Sequence, residues 1–272
     1  MSSTQQPPRG RWRFRRTKTV RRITGALALL FALSTVGLVY TALAPTPQTA
    51  VAAAPDAEAV AAGEQLYVNS CITCHGANLQ GVQDRGPSLV GVGQAAVYFQ
   101  VATGRMPLAE QSAQAPRKEP FFNEQEIDQL GAYIQANGGG PVVPEGNLQD
   151  REQLAKGGEL YRLNCASCHN FTGQGGALSQ GKYAPALDQA TDEEIYAAML
   201  SGPENMPKFG DGQLTPDEKR AIIAFIQNVN KDSIAPGGNS LGGFGPAPEG
   251  LIAFLVGMGA IVGFTLWMGS RT

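Results

Sequence analysis

Outside two short motifs the chain contains no cysteine and no histidine. Its four cysteines and two histidines all fall within Cys71-Ile-Thr-Cys74-His75 and Cys165-Ala-Ser-Cys168-His169. This scarcity excludes several chemistries. A structural zinc site needs about four nitrogen or sulfur ligands, and no further Cys or His exists to complete a tetrahedron around either motif. A thioredoxin-type dithiol would require strands and helices alternating around the motif, and would leave the following histidine incidental. Strand signals are themselves scarce: neither half of the chain shows a convincing period-two alternation, and the pattern predicts an all-α fold.

What remains is a motif repeated with nothing left over. Each C-x-x-C-H offers two thiols to bond the vinyl groups of a porphyrin and one imidazole to ligate its iron. The sequence therefore predicts two covalently bound haem c groups, attached through Cys71, Cys74, Cys165 and Cys168, with His75 and His169 as iron ligands. The cysteines are then fully committed, and none is left to hold an iron–sulfur cluster. With 272 residues and one motif in each half, two small domains are expected. Each is near the lower limit for an autonomous core, so a covalent haem, packing as a large apolar disc, would form much of its interior.

Acidic residues are absent from the first 22 positions, which carry Arg9, Arg11, Arg13, Arg15, Arg16, Lys18, Arg21 and Arg22. The rest of the chain has 13 basic and 23 acidic side chains, so the net charge of -2 conceals a body at -10. A basic cluster can bind nucleic acid, but this one immediately precedes an uncharged, strongly apolar stretch. The positive-inside rule explains the arrangement better, and no nucleic-acid partner is expected. Residues 23–43 match the ~20 needed to cross a bilayer, longer than the ~7–15 of a signal-peptide hydrophobic region. They read as an uncleaved signal anchor following a cytoplasmic tail, 1–22. Cleavage is the alternative, because Ala50 to Ala54 offers a small-residue A-x-A site.

A second apolar segment closes the chain, with a membrane helix expected over 250–269 and Arg271 as a basic stop. Both termini then lie in the cytoplasm, and the region between them is exported, with membrane lipid around the spans. Gly259 and Gly263 stand in small-xxx-small spacing that permits close approach of a partner helix.

Between the spans the chain is duplicated. Gly63 and Gly157 lie eight residues before the first cysteine of each motif, and Tyr67 and Tyr161 lie four before it, so each pair shares a helix face. The glycine allows another helix close, and the tyrosine packs beside it. The partner helices are legible downstream. Glu124 to Asn137 carries Ile127, Leu130 and Ile134 on one face, and Pro216 to Val229 carries Ile222, Phe225, Ile226 and Val229, with Asn123 and Thr215 as N-caps.

On these residues the chain resembles the cytochrome c family, the small His/Met type. The resemblance covers 56–138 and 148–230, joined by a Gly/Pro-rich linker over 139–147 and flanked by connections at 44–55 and 231–249. It implies that the sixth iron ligand is a methionine in a loop before the last helix. Arg105-Met106-Pro107 and Asn205-Met206-Pro207 stand at that place in both repeats, with Met199 as a rival to Met206. It also implies that a proline-containing loop after each motif presents a backbone carbonyl to the histidine N–H, and Pro87 and Pro185 match that position. The loop from Ala109 to Asn123 is longer than its counterpart, Lys208 to Leu214, and reads equally as a docking surface or a solvated connection.

Two such domains with a carboxy-terminal membrane helix resemble the dihaem cytochrome cc subunit of the actinobacterial-type cytochrome bc complex, a quinol:cytochrome c reductase. That resemblance implies a cytochrome b subunit and a Rieske-type iron–sulfur subunit as partners, and a terminal oxidase as electron acceptor. The chain itself would be a translocase subunit without a quinol site. The nearest alternatives are the dihaem subunit of a cbb-type oxidase, against which the carboxy-terminal span argues, and the cytochrome subunit of a membrane dehydrogenase, for which a third haem domain would be expected. A dihaem peroxidase needs an open iron, and the two Met-Pro sequences argue against one.

Overall fold

The computed structural model describes residues 18–43, 56–108, 110, 112, 114–231 and 246–271. The arginines before Lys18, the connection at 44–55 with its A-x-A site, and positions 232–245 of the last connection lie outside the described residues. Helix α1 (Lys18–Leu43) is a unit by itself. It is apolar around its whole circumference and long enough to cross a membrane. Two of its threonines fold back on the helix, Thr35 Oγ1 donating to Phe31 O at 2.8 Å and Thr41 Oγ1 to Leu38 O at 2.9 Å, which satisfies these hydroxyls without water.

The first repeat contains α2 (Ala57–Ser70), α3 (Ile72–His75), α4 (Gly93–Ala102) and α5 (Glu124–Gly138). The second contains a 3-10 turn (Arg151–Gln153), α6 (Leu154–Asn164), α7 (Ala166–His169), α8 (Asp192–Ser201) and α9 (Pro216–Lys231). Two antiparallel two-residue strands, β1 (Gly176–Ala177) and β2 (Tyr183–Ala184), add a short ribbon to the second repeat. Residues this short in a strand carry no periodicity, so the sequence held no sign of them. The chain closes with α10 (Pro246–Gly269), also apolar and long enough to span a bilayer, with the Arg271 guanidinium 4.4 Å from the centre of the Trp267 ring.

In each repeat the first and last helices cross at the glycine. A methyl added to Gly63 would stand 2.0 Å from the carbonyl oxygen of Gln129, and one added to Gly157 would stand 1.9 Å from that of Ala221. Only glycine allows these backbones so close. The tyrosine one turn on seals the crossing: Tyr67 lies 5.2 Å from Tyr133, centroid to centroid, and Tyr161 lies 5.2 Å from Phe225. Ile127, Leu130 and Ile134 are buried on the inner face of α5, and Ile222 and Ile226 on that of α9. Capping boxes start both closing helices. Asn123 pairs with Glu126, and Thr215 with Glu218, each through reciprocal backbone bonds.

The two repeats pack together through α4 and α8. Small side chains make the approach possible, with Ala95, Ala197 and Ala198 buried around Phe99. The Gly/Pro-rich connection is pinned to this seam. Ala95 N–H donates to Pro141 O at 3.1 Å, and Val143 packs against the second core.

Candidate functional site

Each C-x-x-C-H motif is a single helical turn fused to the helix before it. The amide of Cys71 donates to Tyr67 O at 2.8 Å and that of His75 to Cys71 O at 3.0 Å. In the second repeat Cys165 reaches Tyr161 O at 2.8 Å, and His169 reaches Cys165 O at 2.9 Å. The spacing thus brings both thiols and the imidazole of a motif to one end of one helix, with Cys74 and Cys168 exposed and Cys165 buried. The same tyrosine that seals the helix crossing ties down the far end of the turn. Tyr67 Oη donates to Gly76 O, and Tyr161 Oη to Asn170 O, both at 2.7 Å.

The histidines are held alike. Nδ1 of His75 lies 2.8 Å from Pro87 O, and Nδ1 of His169 lies 2.9 Å from Pro185 O. A carbonyl only accepts, so Nδ1 carries the proton and donates. In the neutral ring that leaves the Nε2 lone pair free for a metal, with its basicity raised by the carbonyl. Burial pushes the His169 pKa below its ordinary value and so favours this neutral form, with the Pro185 hydrogen bond opposing in part. The prolines at these positions were legible in the sequence.

The more buried thiol of each motif is shifted away from thiolate character. Burial pushes Cys71 up to about 11 and Cys165 up to about 12, with Cys74 and Cys168 adding to the shift. Reactive C-x-x-C cysteines are shifted the other way. Among the described residues no three His, Cys, Asp or Glu side chains converge as a metal-holding group.

A cavity opens beside the second motif, lined by Cys165, Cys168, His169, Met206 and the apolar side chains of Ile195 and Ile222. Met206 sits in the loop between α8 and α9, half-buried, its amide bonded to Pro203 O at 2.9 Å. Met199 also reaches this cavity but lies within α8, 2% exposed and locked in the core. In the first repeat Met106 packs against the core cluster of Tyr67, Leu130 and Ile134, as do Cys71 and Ile72 of the motif. The residues fit a haem. An apolar cavity meets an imidazole whose Nε2 is free, two cysteines at thioether spacing and a thioether on a loop. Arg105 also lines this cavity, and its buried Nη1 is without a hydrogen-bond partner.

Sequence reasoning missed the contribution of the first repeat to this second cavity. Phe99, Arg105, Gln114 and Arg117 all line it. The polar loop left undecided in the sequence proves to be a contact between repeats. Gln114 holds the backbone of Tyr183 at both ends, Nε2 donating to its carbonyl at 2.7 Å and Oε1 accepting from its amide at 3.1 Å. Ala115 N–H donates to Glu204 Oε1 at 2.8 Å. The only hint available was the extra length of the loop.

The profile of the family described as cytochrome c oxidase, cbb3-type, subunit III matches residues 58–134 and 152–226, one copy per repeat. Over nearly the whole chain, similarity runs to proteins named cytochrome bc1 complex cytochrome c subunit. That of Mycobacterium tuberculosis is 54% identical over 264 residues, covering 94% of each chain. That of Mycobacterium leprae is 55% identical over 252 residues, covering 90% of this chain and 87% of the relative. That of Corynebacterium efficiens is 51% identical over 273 residues, covering 94% and 92%.

Proposed function

The chain belongs to the family of cytochrome bc1 complex cytochrome c subunits, and from that premise we propose that it is the dihaem electron-transferring subunit of a respiratory quinol:cytochrome c reductase. In this reading Cys71 and Cys74 hold one haem c through thioether bonds, and Cys165 and Cys168 hold the other. His75 and His169, with Met106 and Met206, would ligate the irons.

The observation that carries the reading is the repeated histidine–proline hydrogen bond, 2.8 Å in one repeat and 2.9 Å in the other. It fixes the tautomer and the ring plane in both motifs in the same way, which a core histidine has no need of. A haem bound by imidazole and thioether would supply a one-electron couple at raised potential. The polypeptide's part is to hold those ligands still. The Gly63 and Gly157 crossings and the Tyr67 and Tyr161 bonds fix each motif against its closing helix, so the donor atoms need not move when the charge changes. The second cavity, walled by the first repeat, excludes water from one side.

An iron–sulfur subunit of the Rieske type is the proposed electron donor, beside a cytochrome b subunit that oxidises quinol, and a terminal oxidase is the proposed acceptor. Helices α1 and α10 would anchor the chain in lipid with both ends in the cytoplasm and the haem domains outside. The cbb-type oxidase subunit shares the two haem domains. The likeness to the bc1 subunits runs through both apolar helices as well, and favours the reductase.

The test is a pyridine haemochrome count on the purified complex, combined with exposure of the reduced protein to carbon monoxide. Two haem c per chain with no rapid carbon monoxide binding is expected. A single haem, or rapid binding at one iron, would overturn the dihaem electron-transfer reading in favour of an enzyme with an open site.

A further inference from the structure

Arg105 and Met106 are consecutive in sequence but serve different repeats. Met106 packs against the core of the first repeat, whereas Arg105 lines the cavity of the second, as His169 and Met206 do. Arg105 is 8% exposed. Its guanidinium carbon lies 4.8 Å from the centre of the Phe99 ring, which supports one face of the group. Its Nη1 is buried with no hydrogen-bond partner, and among the described residues it forms no ion pair.

The nearby carboxylates, Glu194 and Glu204, favour the Arg105 charge through space but form no ion pair with it, and each is hydrogen-bonded elsewhere. Both oxygens of Glu194 accept from Arg117, at 2.8 and 2.9 Å, and Oε2 also accepts from the amide of Thr191. Glu204 Oε1 accepts from the amide of Ala115. A buried guanidinium N–H left without an acceptor is costly. The cavity edge therefore asks for an anion with a planar pair of oxygens, the shape that a guanidinium fork binds best. Haem carries two carboxylates on one edge.

We propose that Arg105, although it belongs to the first repeat, binds a propionate carboxylate of the haem held by Cys165, Cys168 and His169. This rests on the dihaem reading above. It makes the second pocket incomplete without the first repeat, and it ties the two pockets through a single peptide unit, Arg105–Met106.

The experiment is an optical redox titration of the c-type α-bands in the intact complex, comparing the wild type with R105Q and R105K. M106Q and M206Q identify which titrating component belongs to which repeat, since loss of the thioether lowers the potential of its own haem. R105Q should lower the potential of the Met206 component alone, because an unneutralised carboxylate favours ferric iron. The expected change is roughly three- to tenfold in the oxidised-to-reduced ratio at fixed potential, where tenfold is about 59 mV for one electron. R105K should restore most of it.

An unmoved Met206 component, or an equal shift of the Met106 component, would overturn the proposal while leaving the dihaem reading intact. A wild-type complex with no haem on the second motif would sink both, and the haemochrome count reads that separately. Should R105Q fail to accumulate, the wild type decides. Reduced-minus-oxidised infrared spectra with isotope-labelled arginine should show a label-sensitive guanidinium–carboxylate band that M206Q perturbs and M106Q does not, and its absence would overturn the proposal.

Discussion

Arg117 and Glu194, 77 residues apart, meet in two parallel hydrogen bonds of 2.9 and 2.8 Å across the seam between the two repeats. Glu194 is also the third residue of the capping box that starts α8, so one carboxylate both begins a helix and fastens the other repeat to it. The two repeats are thereby fastened to each other beside the α4–α8 contact.

Removing Arg117 would leave Glu194, 4% exposed, as a buried carboxylate without its cation. R117A should destabilise the complex by about 1–3 kcal/mol, discounted because the arginine side chain is partly exposed. E194Q keeps the cap geometry and should cost less. Calorimetric unfolding of the purified complex reads both. Equal stability of R117A and wild type would show that the seam does not depend on this pair.

The glycine crossing gives a sharper contrast within one helix. G157A would place a methyl 1.9 Å from a backbone carbonyl, whereas G158A would meet side chains alone, the Phe225 ring at 3.0 Å and Arg162 Nη1 at 3.3 Å, which can turn aside. Overpacking of the first kind costs about 1–3 kcal/mol or more. Holoprotein yield and thermal midpoint should fall markedly for G157A and little for G158A. A reversed order would contradict the crossing.

H169A should abolish normal low-spin coordination in the second repeat while leaving the first intact, and H75A the converse. Reduced α-band and low-temperature paramagnetic resonance spectra separate the two. Survival of both signals in either variant would sink the ligand assignment.

Acidic pH should strengthen one part of the seam. Partial desolvation raises the carboxyls of Asp128 and Glu193, with Glu124 adding to both, Asp128 and Glu194 adding to Glu193, and the Tyr98 hydroxyl opposing at Glu193. A raised carboxyl contributes stability that is full below its unfolded pKa and is lost as pH rises through its folded pKa. Between neutrality and the upper carboxylate range, the wild type should therefore gain thermal stability as pH falls, and D128N should gain less. A D128N profile parallel to wild type would remove Asp128 from the account.

What could be read in the sequence is what repeats within a few turns of helix. The Cys and His spacings, the Gly–Tyr pairs at i, i+4, the inward face of α5 and the capping residues Asn123 and Thr215 all depend on neighbours close in the chain, and the structure has them; on α9 Ile222 and Ile226 are buried as expected, whereas Phe225 and Val229 are half-buried and Ile223 and Ala224 are buried beside them. The seam is different. Ala95, Ala197 and Ala198 look like ordinary helix residues, and nothing local marks Gln114 as a partner of Tyr183 or Arg105 as a residue of the second cavity. These contacts arise only when two repeats of similar shape are laid against each other, and a pairing between distant surfaces leaves no period in the sequence.

The most direct measurement is quinol-driven reduction of the c-type haems in a complex purified through this chain in mild detergent, recorded alongside any b-type bands. Rapid reduction of both c-type components, with b-type haem and an iron–sulfur partner present, is the predicted result. No reduction by quinol, with reduction by a soluble cytochrome and consumption of oxygen instead, would contradict the reductase account and place the chain on an oxidase.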